Sequence, residues 1–365
     1  MSFSFKRTAS VATVAVAALT LAACSSSGDA ESSSSASGDA TAEATEEAME
    51  AADYGDISVQ LSWIKNEEFS GEFFADSNGY YTEAGFSSVE LVPGPSTGAA
   101  ELLSGTANFA LSDAVSIGSA VASEGAPLKI VGATYQKNPF TILSLADGAD
   151  IQTPEDMVGK KIGVQDSNTA LFEALLAANG LTTDDVTVVP VQYDPAVLVN
   201  GEVDGFVAYL TNESLVVQAE GIDVTNLPFA DNGLPFVAET ITVTQDLIDS
   251  DPEMIKAFLV AEIKGWSDAV NDPEEGSRLA VEEYGSDLGL DATVSAEGAV
   301  VQAEDLVVSD ETVANGLFTI SDELQTETLA SLAGAGIDIS AEDLFDMSLL
   351  DEVYAENPDL VAYAG

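Results

Sequence analysis

Short apolar segments alternate with helix-length segments over most of the chain, and this alternation restricts the fold more than any other feature. Ile57, Val59, Leu61 and Trp63 are separated by single polar residues, which is the spacing of a β-strand with one buried face. Further strand-like runs follow at 89–92, 107–111, 128–135, 140–145, 161–164, 186–191, 205–209, 224–229 and 236–244. Strands that alternate with helices predict an α/β fold with mainly parallel sheets flanked by helices.

The order of these segments predicts two α/β lobes joined by two crossover strands. The run at 236–244 is expected to return to the first lobe, which then takes 57–140 plus 236–365, while the second lobe takes 141–235. The last third of the chain is predicted to be helical. Asp251-Pro252 and Asp272-Pro273 each place an N-cap residue before a proline at the first helical position.

Residues 1–24 have the pattern of an export signal. Lys6 and Arg7 precede an apolar run at 11–21, which is too short to span a membrane. The segment closes with Leu-Ala-Ala-Cys at 21–24, which resembles the bacterial lipoprotein box. That resemblance implies lipidation of Cys24, the one cysteine of the chain. The alternative is a plain secretory signal with a chance cysteine.

Residues 25–56 are rich in Ser, Ala, Gly, Asp and Glu. Such a composition buries too little apolar surface to offset the entropy of ordering, so we expect a disordered acidic stalk. The signal, the anchor and the stalk together predict an extracytoplasmic protein that is tethered to the cell membrane. The lipid anchor would be its sole membrane contact.

Composition excludes several function classes. The chain has no His and one Cys, which excludes Ser-His-Asp and Cys-His nucleophile systems and His/Cys zinc sites. It carries 63 Asp and Glu against 10 Lys and Arg, a formal net charge of -53, and such a surface repels nucleic acid. Composition therefore excludes most familiar hydrolases, and we predict no metal site and no nucleic-acid partner. The absence of these nucleophile systems also agrees with the prediction that the protein is not an enzyme and needs no cofactor.

A set of weak motifs occurs in a fixed order over residues 57 to about 280. It comprises Trp63-Ile64-Lys65-Asn66, Gly79-Tyr80-Tyr81-Thr82-Glu83-Ala84-Gly85, the stretch from Thr153 to Val164, the stretch from Asn200 to Phe206, and Tyr209-Leu210-Thr211-Asn212-Glu213. In this order the motifs resemble the substrate-binding proteins of ABC importers for thiamine pyrimidine precursors, sulfonates, nitrate and taurine. The resemblance implies the two-lobed periplasmic-binding-protein type II fold, a small-molecule ligand and an ABC permease as partner.

The combination of Trp-x-x-Asn with Tyr-x-x-Asn-Glu is closer to the thiamine-precursor members than to the sulfonate members. It implies a small, flat, nitrogen-rich ring as the ligand. The same family includes a pyrimidine synthase that needs an active-site histidine and a cysteine-rich motif. This chain has neither, so the resemblance does not extend to that activity.

Candidate ligand-binding residues lie on the loops that follow the predicted strands, because ligands of open α/β sheets bind beyond the carboxyl ends of the strands. These candidates are Trp63, Asn66, Phe69, Ser112, Asp113, Gln136, Phe140, Asp166, Ser167, Asn168, Thr169, Tyr209, Asn212 and Glu213. For several of them a structural role explains the residue equally well. Trp63 and Phe69 suit the core, Gln136 and Phe140 suit a hinge, and the polar groups at 166–169 and 212–213 suit helix starts.

The chemistry of these side chains indicates the class of ligand. Trp63 offers an aromatic face for stacking, Glu213 accepts hydrogen bonds from N–H groups, and Asn212 both donates and accepts. Arg278 is the one arginine beyond the export signal, and it lies in a predicted exposed helix, so a guanidinium clamp for an anion is not expected. A neutral or cationic ligand is therefore favoured.

These observations predict a monomeric, lipid-anchored receptor that closes on one small molecule by hinge bending and delivers it to a permease. Three alternatives remain open from the sequence. The same fold can bind a sulfonate, nitrate, a flavin-like ring or another aromatic metabolite. The chain can also be an enzyme built on this fold, or a surface interaction protein whose cleft is degenerate.

Overall fold

Ten strands form two five-stranded sheets in the computed structural model, which describes residues 52–363. Each strand overlaps one of the ten predicted segments, so the period-two and apolar patterns placed the strands correctly. The strands are β1 (Gly55–Gln60), β2 (Phe86–Val92), β3 (Phe109–Asp113), β4 (Leu128–Tyr135), β5 (Phe140–Leu145), β6 (Lys161–Val164), β7 (Thr187–Pro190), β8 (Gly205–Tyr209), β9 (Val224–Pro228) and β10 (Ala238–Thr244).

Each sheet is mainly parallel and contains one antiparallel strand. The first sheet has the order β2-β1-β3-β10-β4, in which β10 runs antiparallel to both neighbours. The second has the order β7-β6-β8-β5-β9, in which β5 is the antiparallel strand. The predicted α/β class with two mainly parallel sheets is confirmed.

The chain leaves the first sheet after β4 and returns to it with β10. We propose that the segments 136–139 and 229–237 are the two crossovers between the lobes. The predicted lobe boundaries remain a prediction, and one detail differs from them, since Phe140 begins a strand of the second sheet.

Fifteen α-helices flank the sheets or form the C-terminal third of the described residues. They are α1 (Ser70–Ser77), α2 (Tyr80–Glu83), α3 (Ala99–Ser104), α4 (Ala114–Glu124), α5 (Thr169–Ala178), α6 (Ala196–Val199), α7 (Glu213–Ala219), α8 (Gln245–Ser250), α9 (Pro252–Asn271), α10 (Pro273–Arg278), α11 (Ala292–Val301), α12 (Asp310–Asn315), α13 (Asp322–Gly334), α14 (Ala341–Leu344) and α15 (Ser348–Glu356). Two π-helical turns lie at Leu279–Tyr284 and Gln302–Val307. Short 3-10 turns lie at Glu67–Phe69, Pro154–Met157, Asp166–Asn168, Ala230–Asn232 and Pro358–Val361.

The predicted Asp-Pro helix starts are confirmed. The Asp251 side chain accepts a hydrogen bond from the backbone N–H of Met254 at 3.2 Å, and Asp272 accepts one from Glu275 at 3.1 Å. Proline follows each cap, where its missing N–H costs no intrahelical hydrogen bond. Thr153-Pro154 also starts a turn with a capping box, but the turn is a short 3-10 helix.

The first strand begins slightly earlier than the sequence predicts. β1 starts at Gly55, and the Tyr54 ring lies 5.3 Å from the Phe86 ring, so the last residues assigned to the stalk belong to the first lobe. The export signal, Cys24 and the rest of the predicted stalk lie outside the described residues. None of the helices that the structure describes is both long enough and apolar enough to cross a bilayer.

Helix α9 organises the core of the first lobe. One apolar face of this helix is buried, including Ile255, Leu259 and Trp266, and its Phe258 ring stacks on Phe109 at 3.8 Å. At Gly265 the helix approaches α1 so closely that a Cβ atom would lie 2.1 Å from the Gly71 carbonyl oxygen. This tight α1–α9 contact fixes the segment that runs from β1 into the candidate site.

Candidate ligand-binding site

A cavity of about 1110 Å³ lies where the carboxyl ends of strands from the two sheets face each other. The first sheet and the C-terminal region contribute Ser62, Trp63, Glu68, Pro95, Ser96, Thr97, Asp113, Ser116 and residues 335–338 to its lining. The second sheet and its helices contribute Phe140, Gln165, Ser167, Asn168, Leu171, Tyr193, Tyr209, Asn212 and Glu213. The position matches the general rule that ligands of open α/β sheets bind beyond the strand ends.

Eight of the fourteen predicted binding residues line this cavity. They are Trp63, Asp113, Phe140, Ser167, Asn168, Tyr209, Asn212 and Glu213. Their roles in binding remain a proposal, but the structure brings residues that are far apart in the sequence to one place.

Three predicted residues lie in the wall behind the cavity. Phe69 is fully buried in the hydrophobic core. Ser112 alternates with Asp113 along β3 and therefore faces the other way, where its hydroxyl donates to the carbonyl of Thr97 at 2.8 Å. Asn66 is also buried, and its side-chain oxygen has no hydrogen-bond donor among the described residues.

The other three predicted residues lie outside the cavity. Asp166 and Thr169 are exposed and are not part of the cavity lining. Their neighbours Ser167 and Asn168 line the cavity instead. Gln136 lies at a separate surface cavity of about 260 Å³.

Aromatic rings meet across the cavity. The Trp63 ring from the first lobe contacts the Tyr193 ring from the second at 4.5 Å between centroids, in an edge-to-face arrangement. The Tyr193 hydroxyl is hydrogen-bonded to Ser167 at 2.9 Å. Phe140 and Tyr209 form a second perpendicular pair, also at 4.5 Å. Tyr193 is absent from the sequence prediction, although its place just after β7 is a signal that could have identified it.

Glu213 is the first residue of helix α7 and also lines the cavity. Its carboxylate accepts a hydrogen bond from the backbone N–H of Tyr209 at 2.8 Å, which orients the side chain. Burial raises the pKa of Glu213 to about 7. Asn212 precedes the helix without capping it through its side chain, so its amide is available at the cavity wall.

Glu68 is the main residue of the lining that the sequence does not reveal. It lies in the 3-10 turn Glu67–Phe69, is 5% exposed, and is hydrogen-bonded to the carboxyl of Glu239 on β10. Burial raises the pKa of Glu68 to about 8 and that of Glu239 well above the usual range. The sequence gives no signal for this pair, because the two residues meet only in the tertiary structure.

The charges around the cavity are all acidic. Glu68, Asp113, Glu213 and Asp338 line it, and no Lys or Arg of the part of the chain that the structure describes does so. Residues 52–363 also contain no group of His, Cys, Asp and Glu side chains suited to a metal ion. Arg278 pairs with Glu275, Glu282 and Glu283 on the molecular surface.

Residues 66–276, more than half of the chain, match a family model described as NMT1/THI5 like. The chain belongs to this NMT1/THI5-like family. A relative, the riboflavin-binding protein RibY of Chloroflexus aurantiacus, is 26% identical over 300 residues, which cover 77% of this chain and 81% of RibY.

Solved structures share the fold. The periplasmic aliphatic sulphonate binding protein SsuA from Escherichia coli superposes with a TM-score of 0.59 at 16% identity, covering 76% of this chain and 85% of SsuA. The desulfurization enzyme DSZB gives a TM-score of 0.55 at 14% identity, covering 82% of this chain and 99% of DSZB. The family member described here therefore has the periplasmic-binding-protein fold expected from its motifs, and this fold also occurs in an enzyme.

Proposed function

We propose that this protein is the substrate-binding receptor of an ABC importer and that it captures an uncharged or cationic, flat nitrogen heterocycle between its two lobes. The observation that carries the proposal is the cavity itself. It lies between the sheets, and aromatic rings and amide or carboxylate groups line it together. Sites for small molecules typically combine apolar and aromatic walls with a few polar groups that fix orientation.

The charge of the lining supports the choice of ligand. An anion such as a sulfonate or nitrate would face four acidic side chains without a cation to offset them among the described residues. Carboxylates at low dielectric favour N–H donors and positive charge instead. The sulfonate and nitrate alternatives are therefore disfavoured.

The cavity is large enough for a ligand of more than one ring. A volume of about 1110 Å³ exceeds the range of roughly 300–1,000 Å³ that is usual for sites of drug-sized ligands. A single substituted pyrimidine would leave most of this space to water. A flavin-type ring system fits the volume better, and the similarity to a riboflavin-binding protein supports the same choice. A thiamine-type pyrimidine is the second candidate, because the family and the Tyr209–Glu213 motif favour it.

The proposal includes the location of the protein. The export signal and Cys24 support an extracytoplasmic receptor that a lipid anchor holds at the membrane. The proposed partners are the ligand and the permease. Hinge closure would bury the ligand and present a shape that the permease recognises.

Thermal unfolding of the purified protein with a panel of compounds tests this function. We expect riboflavin to raise the melting temperature strongly, hydroxymethylpyrimidine to raise it less, and taurine and nitrate to leave it unchanged. Recovery of the bound compound unchanged by mass spectrometry would support a receptor. Stabilisation by taurine or nitrate alone would contradict the proposed ligand class, and chemical turnover of the ligand would favour an enzyme.

A further inference from the structure

Two carboxyl groups meet at the floor of the cavity. Glu68 comes from the 3-10 turn after β1, and Glu239 comes from β10. They are 5% and 2% exposed, and no Lys or Arg of the described chain forms an ion pair with either of them. Burying two acids together without a cation is unfavourable, because each charged form loses its hydration. Packing alone gives no reason for this arrangement.

The backbone of β10 is distorted at the point where Glu239 joins the pair. Opposite β3, the register shifts between Ala238 and Thr240, so Glu239 is the extra residue of a β-bulge. Its φ of 44° lies in the left-handed region that side chains other than glycine seldom adopt. Bulges next to binding sites redirect a side chain, and here the bulge accompanies a carboxyl that meets Ser62 and Glu68.

Hydrogen bonds fix the inner carboxyl and leave the outer one unsatisfied. The Ser62 hydroxyl lies 3.0 Å from both oxygens of Glu239. Glu68 is in hydrogen-bonding contact with Glu239, and its Oε1 is buried without a hydrogen-bond donor among the described residues. Of the two carboxyls, Glu68 is the one that lines the cavity.

We propose that Glu68, supported by Glu239 and Ser62, is the subsite that recognises a ring N–H or amino group of the ligand. The inference rests on the proposed function and specifies which edge of the bound heterocycle faces Glu68. Glu239 would donate the shared proton to one oxygen of Glu68, and the other oxygen would accept the N–H of the ligand. No bond is made or broken in this step.

A second buried carboxyl pair provides an internal comparison. Glu72 and Glu262 are also in hydrogen-bonding contact with each other, and they are 1% and 0% exposed. This pair is enclosed by the core, where Tyr81 donates to Glu262 at 2.5 Å and the Trp266 indole N–H donates to Glu72 at 3.3 Å. Neither carboxyl lines the cavity. Glu262→Gln is therefore a matched control for a change in the Glu68–Glu239 pair.

Calorimetric titration with riboflavin and its N3-methyl derivative tests the subsite, since the methyl group removes the ring N–H. We expect the wild-type protein to bind riboflavin at least tenfold more tightly than the methyl derivative. Glu68→Gln should weaken riboflavin binding about tenfold and leave binding of the methyl derivative within about threefold, because the Gln amide presents an N–H donor in place of one carboxyl oxygen that accepts. Glu239→Gln should keep the riboflavin affinity within about threefold of the wild-type value, because the amide N–H of Gln takes the place of the proton between the two carboxyls. Glu262→Gln should change neither affinity.

Two results would overturn the subsite while the proposed function stands. One is equal affinity of the wild type for both flavins, and the other is an equal loss for both flavins in Glu68→Gln. If riboflavin does not bind but hydroxymethylpyrimidine does, the same comparison is made with its N,N-dimethylamino derivative and has the same two outcomes. If neither N–H-bearing probe binds, the subsite is wrong, and binding of taurine or nitrate in that case overturns the proposed function as well.

Discussion

The contact between Trp63 and Tyr193 is the residue-scale feature that most directly joins the two lobes at the cavity. The rings meet edge to face at 4.5 Å, and the Tyr193 hydroxyl is hydrogen-bonded to Ser167. The indole N–H of Trp63 has no acceptor among the described residues. The tryptophan lines the cavity and can offer its aromatic face to a ligand, whereas its N–H is buried in the wall.

Removal of the Tyr193 ring should weaken ligand binding. We expect Tyr193→Ala to reduce riboflavin affinity about two- to tenfold, mainly through faster dissociation, because an aromatic pair contributes about 0.5–1.5 kcal/mol beyond burial. Tyr193→Phe keeps the ring and loses only the bond to Ser167, so its effect should be smaller. Stopped-flow measurement of the dissociation rate checks both variants. Equal effects of the two variants would mean that the hydroxyl, and not the ring contact, is the important group.

At the scale of elements, helix α11 links the two lobes from the C-terminal region. Its Ser295 hydroxyl donates to Glu67 of the first lobe at 2.8 Å, and the helix packs against α7 of the second lobe. A Cβ atom at Gly298 would lie 2.8 Å from a Glu67 carboxylate oxygen and 2.8 Å from the Thr211 carbonyl oxygen. The missing side chain at this position lets segments of both lobes approach the helix.

Gly298→Ala should therefore disturb the arrangement of the lobes seen in this structure. We expect the added methyl group to lower the free energy of unfolding by about 1–3 kcal/mol and to weaken ligand binding, because the Thr211 carbonyl belongs to the backbone and must shift. Gly334→Ala is the matched control, since a Cβ there meets no atom within 4 Å and alanine favours a helix. Denaturant unfolding and calorimetric titration measure the two effects. If Gly334→Ala lost as much stability and affinity as Gly298→Ala, the close approach at Gly298 would not be the cause of these losses.

The α1–α9 contact contains the Glu72–Glu262 pair, and this pair predicts a dependence of stability on pH. Burial raises the pKa of Glu72 from 4.5 to about 7 and that of Glu262 well above 4.5. The folded state thus holds protons that the unfolded state releases above pH 4.5. Glu72 therefore contributes to the free energy of unfolding, and this contribution is fully present below pH 4.5. It is lost as the pH rises through 7, and the loss is on the order of 3 kcal/mol.

Glu262→Gln should reduce this pH dependence. A neutral amide in place of the carboxyl removes one buried acid and can donate to Glu72, so we expect a higher melting temperature than wild type at pH 8 and little difference at pH 4. Thermal unfolding at several pH values measures the change. Substitution of the exposed Glu90 by Gln is the control and should leave the pH profile as it is. An unchanged profile in Glu262→Gln would mean that other acids set the dependence.

At the scale of the whole molecule, the cavity lies between two lobes that also touch through α11 with α7 and α13 with α5. Residues 335–338, just after α13, line the cavity. The C-terminal region therefore takes part in the site as well as in the core. This region lies beyond the motifs from which the sequence predicted the fold.

Ligand binding should make the molecule more compact. We expect riboflavin to lower the radius of gyration in small-angle X-ray scattering, because closure of the lobes brings their centres together. Taurine at the same concentration should leave the scattering unchanged. An unchanged radius of gyration with saturating riboflavin would contradict hinge closure and leave binding itself intact.

The sequence by itself determined the ten strands, the Asp-Pro helix starts and the two-sheet α/β class. These features depend on periodicity, capping and composition, which are local or additive properties of the chain. Eight of the predicted binding residues also lie at the cavity, since strand-end loops of a parallel sheet share one edge.

Only the tertiary structure decided which side chains complete the site. Ser62 bonds to Glu239 across 177 positions, and Trp63 contacts Tyr193 on the other lobe. The direction of the Glu239 side chain depends on the β-bulge in β10. This bulge follows from the pairing of β10 with β3, which no local sequence pattern encodes. Phe69 lies in the core, the alternative that the sequence left open, because the packing of the first 3-10 turn sets which of its residues faces the cavity.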